Sequence, residues 1–312
     1  MLIDLHADIL YRMNKEKQDF YDENSLLHAS YAHLQEGEVK FQVFATFIDP
    51  ILRGEQQLLA VIDSLDRFHQ KIKRKGIVEP VLTVSDVQRI RQTQGILGAL
   101  LSLEGADCLA GHASVLSMLY ALGVRLIGLT WNHGNSLADG ILEPRGGGIT
   151  GFGREVIEQM QQLGMVIDVS HASDRVVEDV VQIVSRPIIA SHSNARAVYP
   201  AKRNLEDEHM KLIAATGGVI GVTFVPEFIA DKNEVMIEDL LRHLLHMLRV
   251  VGADAIALGS DFDGITTTMA DLRDSRDYPV LIERLHHEIG HETTKKIMGE
   301  NIFRVLTNTL PK

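Results

Sequence analysis

GMVIDVSHASDRVVEDVVQIVSRPIIASHSNARAVYPAKR, residues 164–203, contains two short apolar runs, MVIDVS and PIIAS, each leading into a histidine, His171 and His192. Between them lies a helix-length amphipathic segment, so the stretch reads as one βαβ unit with an imidazole at the C-terminal end of each strand. In parallel α/β proteins the strand ends on that side form the rim where ligands bind, and a histidine there can leave the core and reach a site.

The same pattern extends along the chain. Eight apolar runs rich in Val, Ile, Leu and Phe are legible: LIDLH (2–6), KFQVFATFI (40–48), ILGALLSLEG (96–105), VRLIGLTW (124–131), MVIDVSH (165–171), PIIASH (187–192), GVIGVTF (218–224) and AIALGSDFDG (255–264). Helix-period segments separate most of them, for example 55–74, 113–122, 151–164 and 237–251. Eight alternations of buried strand and amphipathic helix predict an α/β fold of the (β/α)8 TIM-barrel type, with a doubly wound open sheet as the alternative. The absence of repeats, linkers and low-complexity blocks predicts a single domain over 1–312. Residues 11–37 are polar and irregular and read as an insertion after the first strand. GILEPRGGGIT (140–150) is Gly-rich but lacks the Lys-Ser/Thr of a phosphate cradle, and ITTTMADLRDSRDYP (265–279) reads as a rim loop able to cover a site.

Composition narrows the function classes. Of the 312 residues 45% are hydrophobic and 23% charged, an ordinary globular balance. A net charge of -11 argues against a nucleic-acid surface, which needs clustered Lys and Arg. The one cysteine, Cys108, permits no intrachain disulfide, reads as a buried small hydrophobe and points to a reducing compartment. MLIDLHADIL has neither the basic region nor the cleavage site of a signal peptide, and the longest apolar stretch, 213–225, falls short of the roughly 18–20 residues of a membrane span. The expectation is a cytoplasmic protein without membrane or nucleic-acid partners, with a homodimer as the prior for its assembly.

The ends of the apolar runs carry the chemistry: His6 and Asp8, Glu104, His171, His192, Asp261 and Asp263. Histidine with carboxylate and no thiolate suits Zn²⁺ or a similar divalent ion. A strand-end histidine alone is more often a hydrogen-bonded structural residue, and a carboxylate there is often a helix N-cap. Their joint appearance at five strand ends favours a metal site. HEIGH, residues 287–291, spells the zinc-protease motif H-E-x-x-H, but Gly290 weakens the helix it needs and no third ligand pattern follows. His243 and His246 read as surface or boundary residues of an amphipathic helix.

With these residues in place the chain resembles the membrane dipeptidase (renal dipeptidase) family, zinc-dependent barrels related to the amidohydrolases. The resemblance spans nearly the whole chain and rests on DLHAD (4–8), SLEGAD (102–107), GFGREVIEQMQQLGMVIDVSHAS (151–173), IIASHSNARAVYPAKRN (188–204), GSDFDG (259–264) and ENIFRVL (300–306). It implies a metallo-dipeptidase that holds one Zn²⁺ on His6, Asp8 and Glu104 and a second on Glu104, His171 and His192, with Glu104 and a hydroxide bridging. It also implies that Asp261 is the catalytic carboxylate and that Arg203 binds the C-terminal carboxylate of a small dipeptide, L,L or L,D. Two such cations lower the pKa of a shared water and polarise the scissile carbonyl. Asp261 would move the proton, and Arg203 would recognise a carboxylate through its planar guanidinium.

In one place the chain departs from the family. Mammalian members carry a substrate-facing histidine after the Leu-Thr of the fourth strand, where this chain has Trp131. Either His133 reaches the same space from two residues on, or oxyanion stabilisation falls on the metals alone. Another amidohydrolase-like activity, on a cyclic amide or lactone, would use the same dinuclear site without needing Arg203. A non-catalytic metal or peptide binder would not require Asp261.

Overall fold

The structure, a computed structural model, describes residues 1–52 and 54–312. Its strands are β1 (Leu2–Ala7), β2 (Val39–Phe47), β3 (Val78–Pro80), β4 (Leu97–Glu104), β5 (Val124–Gly128), β6 (Val166–Asp168), β7 (Ile189–Ala190), β8 (Val219–Val222) and β9 (Ile256–Leu258). Neighbouring strands pair in parallel throughout. β2 pairs with β1 on one side and, through Phe41 to Phe47, with Gly98 to Glu104 of β4 on the other, while β1 meets β9 at Asp4 and Leu258. The order β1-β2-β4-β5-β6-β7-β8-β9 therefore closes on itself as the (β/α)8 barrel, and the open sheet is excluded.

All eight apolar runs become strands of the ring. β3 has no counterpart among them. It is only Val-Glu-Pro, too short to show alternation, and it pairs with Leu97 to Ala99 at the start of β4, below the part of that edge taken by β5.

Local chemistry sets the helix bounds around β6 and β7. Thr150 caps the helix Gly151–Leu163 by accepting the Gly153 N–H, and Gly164, in the left-handed region at φ 72°, turns the chain into β6. Ser173 caps Asp174–Val181 by accepting the Val176 N–H, and that helix buries Val176, Val177 and Val180 on one side. Residues 11–37 are more ordered than an irregular insertion, with helices Ile9–Glu16 and Tyr31–Glu36 bracketing a loop.

One apolar cluster draws Ile3, Phe41, Leu100, Leu126, Val166, Ile189, Val219 and Ala257 from the eight ring strands, and such a set can meet only inside the ring. Ile302, Val305 and Leu306 of the C-terminal helix Asn301–Thr309 join it. The turn before that helix lies against the start of β1, since a Cβ on Gly299 would sit 2.7 Å from the Met1 carbonyl. The floor of the barrel is thus apolar and sealed, and polar chemistry is left to the opposite rim.

At that rim the backbone is strained. His171, Asp261 and Asp263 have φ of 64°, 67° and 68°, a conformation that costs a non-glycine residue about 1–2 kcal/mol each. Packing between strand ends is also tight: a Cβ on Gly259 would lie 1.8 Å from the Ser191 carbonyl oxygen, and one on Gly221 1.9 Å from the same atom. Gly259→Ala is therefore expected to lower the unfolding free energy by roughly 1–3 kcal/mol, measured by urea denaturation, because backbone rather than a side-chain tip must move.

Candidate metal centre

Six of the sequence-derived candidate side chains converge on the C-terminal rim although they are spread from residue 6 to residue 261. His6 Nε2 lies 3.4 Å from Asp8 Oδ2 and 3.5 Å from Glu104 Oε2. The other Glu104 oxygen, Oε1, is 3.0 Å from His171 Nε2 and 3.7 Å from His192 Nε2. One carboxylate thus faces two groups of donors, one oxygen toward each. Potential ligand atoms of His6, Glu104 and His192 lie within 4.8 Å of one another, and so do those of His6, Asp8 and Asp261.

The donors fit divalent cations. His6 Nε2 and Asp8 Oδ1 are buried without a hydrogen-bond partner, which costs free energy unless something else meets them. His171 Nε2 and His192 Nε2 point at each other across 2.8 Å. In the metal-free cluster the charges crowd one another. Burial, reinforced by the charge of Glu104, pushes Asp8 up to about 8, and burial raises Asp261 to about 6. Burial opposes charge on His6, yet Glu104 and Asp8 hold its pKa well above the usual imidazole range. Burial, with Arg203 adding to it, lowers His171 to about 4, and burial lowers His192 well below its ordinary value, so both rings are neutral, the form in which imidazole can bind a metal. The set is one of imidazole and carboxylate with no thiolate, which suits Zn²⁺.

The remaining candidates divide. Arg203 is buried beside this cluster, giving Nη2–H to the His192 carbonyl at 3.1 Å and leaving Nε without a partner. Burial lowers its pKa to about 10, with Asp261 and Glu104 pulling the other way. His133 does not join the cluster. It is exposed and lines a small cavity that shares Glu104 and Trp131 with the main one. Asn132, unlike His133, lines the main cavity, and its Oδ1 lies 2.8 Å from His171 Nδ1. The sequence signal for Asn132 was only its position at the end of a strand run, where any polar residue is near the rim. Asp263 turns away and accepts the backbone N–H groups of His28 at 2.7 Å and Ala29 at 3.1 Å, tying the segment after the first helix to the rim. The HEIGH motif is broken, since Gly290 at φ 76° ends the helix Tyr278–Ile289 between the two histidines, and His287 is exposed. His243 is fully buried, not a surface residue. Its Nδ1 accepts the Ala195 N–H and its Nε2 faces the Ile229 carbonyl. His246, bonded to Asp207 at 2.7 Å, does sit at the boundary.

Above the cluster opens a cavity of ≈ 490 Å³. Asp8, Glu104, His171 and Asp261 form its base, and Tyr11, Phe47, Trp131, Phe228 and Ile265 its walls. Ile265 and Thr266 come from the rim loop that follows Asp263. Among the described residues no helix is long and apolar enough to cross a membrane.

A closed (β/α)8 ring with imidazoles and carboxylates gathered beneath a rim cavity defines a metal-dependent hydrolase. The family model for membrane dipeptidases (peptidase family M19) matches residues 1–310. The chain belongs to that family and is a metallo-dipeptidase. It is 30% identical over 335 residues to an uncharacterised dipeptidase of Schizosaccharomyces pombe, a match covering 99% of this chain and 80% of the relative. It is 35% identical over 245 residues to an uncharacterised Klebsiella pneumoniae protein from the pqqA 5′ region, covering 75% and 89%. The fold superposes on dipeptidase AC, a family M19 metallopeptidase (TM-score 0.93, 24% identity, 100% and 99% coverage). It also matches a Rhodobacter sphaeroides metallopeptidase liganded with a phosphinate mimic of the dipeptide L-Ala-D-Ala (TM-score 0.90, 24% identity, 99% of each chain).

The tie between Asp263 and the first insertion has a pH signature. His28 Nδ1 accepts the Asp263 N–H at 3.1 Å, and burial, with Arg12 second, lowers its pKa from 6.5 to about 4. The unfolded chain therefore takes up this proton first, and the stability His28 contributes is complete above pH 6.5 and lost as pH falls toward 4. Asp263, raised by burial to about 7, acts with the opposite sign across much of the same range. The difference in unfolding free energy between wild type and His28→Gln isolates the histidine. It is expected to shrink by on the order of 2 kcal/mol between pH 7 and pH 4 in urea titrations.

Proposed function

We propose that this dipeptidase works with two zinc ions, one held by His6, Asp8 and Glu104 and the other by Glu104, His171 and His192, and that it cleaves small L,L and L,D dipeptides. The observation that carries the reading is the division of Glu104, whose Oε2 faces His6 while Oε1 faces His171 and His192. Two divalent ions bound there would supply a water of lowered pKa and polarise the scissile carbonyl.

The rest falls to the chain's own side chains. Asp261 takes the proton of the attacking water and delivers it to the leaving amine, and it lies at the base of the cavity where that water would sit. Asp261 also lies within donor reach of His6 and Asp8. Arg203 receives the substrate's C-terminal carboxylate. It is a buried guanidinium whose Nε is unpaired, and its flat fork suits bidentate recognition. A carboxylate required one residue past the scissile bond restricts cleavage to dipeptides. His133 meets a ligand only from the smaller cavity beside Trp131. The cavity of ≈ 490 Å³ accommodates a dipeptide, and its walls set Tyr11, Phe47, Trp131 and Phe228 beside the charged Lys15, Asp49 and Glu227. Acceptance of a D-residue at the C-terminal position draws support from the L-Ala-D-Ala mimic bound by the Rhodobacter sphaeroides relative.

Arg203→Ala should raise KM for dipeptides by about 10- to 100-fold with metal content unchanged, in keeping with the loss of a charged hydrogen bond. An unchanged KM would favour a cyclic amide or lactone as substrate. Asp261→Asn should cut kcat by roughly 100- to 10,000-fold while both ions stay bound, and loss of an ion instead would make Asp261 a ligand.

A further inference from the structure

Ser191 stands between a carboxylate and an imidazole. Its Oγ lies 2.5 Å from Asp168 Oδ2, 2.8 Å from His192 Nδ1 and 3.2 Å from Ser170 Oγ. A serine hydroxyl has one proton to give and two lone pairs to accept with. The carboxylate oxygen can only accept, so the Ser191 proton goes to Asp168. The serine oxygen must then accept from its other two neighbours. Ser170 complies, because its Oγ already accepts the His192 backbone N–H at 3.1 Å and its own proton is free for Ser191. His192 complies only if its proton is on Nδ1.

That proton position has a consequence on the far side of the ring. With Nδ1 protonated, Nε2 of neutral His192 is a bare lone pair, and it faces Glu104 Oε1 at 3.7 Å and His171 Nε2 at 2.8 Å. Asp168 is itself immobilised, since its Oδ1 accepts the N–H groups of Ser170 and Ser191, each at 2.9 Å, and it is buried. We propose that Asp168 and Ser191 are a positioning pair that fixes His192 as the Nδ1–H tautomer and thereby keeps Nε2 available to a metal ion. The pair acts through His192 and touches neither substrate nor metal. The proposal rests on the reading of His192 as a ligand, and it is the hydrogen-bonded outer layer that a metal-bound histidine requires.

Asp168→Asn is the discriminating variant. The amide oxygen can keep both backbone N–H bonds, while its NH₂ group, placed at Oδ2, donates to Ser191 Oγ. The serine proton then turns to His192 Nδ1, and the imidazole proton moves to Nε2. Long-range ¹H–¹⁵N spectra of metal-free, ¹⁵N-histidine-labelled full-length protein should show His192 as the Nδ1–H form in the wild type and as Nε2–H in the variant. Chelator competition with Zn²⁺ should show one ion bound about 10- to 100-fold more weakly and the other unchanged. A variant that keeps His192 in the Nδ1–H form, or binds both ions as tightly as wild type, overturns the proposal, even if its melting temperature falls. If Asp168→Asn fails to fold, Ser191→Ala is read in the same two ways, with a mixture of tautomers expected in place of a full switch. Absence of dipeptide turnover would count against the proposed function, and the tautomer of metal-free His192 would still decide the positioning role.

Discussion

Glu104 is the residue on which the rest of the rim depends. It ends β4, whose pairing with β2 in register, Phe47 opposite Glu104, closes the ring. Closure therefore does two things at once: it removes the exposed sheet edges, and it brings the carboxylate between His6 on β1 and the two histidines just past β6 and β7. An open sheet would leave these groups in a row with no common centre. In the barrel their mutual burial makes each charge depend on its neighbours, and this is why Asp8 and Asp261 are shifted upward while His171 and His192 are held neutral.

Two aspartates beneath the rim hold this arrangement by the same means. Asp4 accepts the N–H of His6 at 3.2 Å and the N–H and Oγ–H of Ser260 at 2.9 Å and 2.7 Å. Asp168 does the same for Ser170 and Ser191. Each thus ties the end of its own strand to the next strand of the ring, β1 to β9 and β6 to β7. The fixed backbone in turn sustains the left-handed conformations at Asp261 and His171, which would otherwise relax. The two clamps differ in the residue next to the serine. Ser260 precedes a carboxylate, Asp261, whereas Ser191 precedes an imidazole with two tautomers to choose between.

The barrel was legible because buried parallel strands are continuous apolar runs and their helices keep a 3.6-residue period, both local properties of the chain. The metal-type residues were legible because polar side chains are rare at the ends of such runs. The residues that escaped notice depend on contacts across strands. Asn132 became visible only when its amide met His171, and Ser191 looked like any small polar residue before His192. Asp168 and Asp4 did leave a trace, an acidic residue inside an apolar run in VIDV and LIDL, which signals a buried acceptor with partners. His243 differs from its reading in the sequence because helical periodicity gives the buried face but not its edge, and its two backbone partners are Ala195 beyond β7 and Ile229 at the end of the short helix Pro226–Ile229. Asp263 shared the spacing of Asp261, and a difference of two residues at a strained turn sent it to the His28 loop instead.

The division of Glu104 between two sets of donors is the central claim, and metal stoichiometry tests it most directly. Zinc-loaded wild-type protein, freed of loose metal and measured by elemental analysis, should hold about two ions per chain, and Glu104→Gln should lose affinity for both. Wild-type protein that turns over dipeptides with one ion or none, or a Glu104→Gln variant that retains two tightly bound ions, would contradict it.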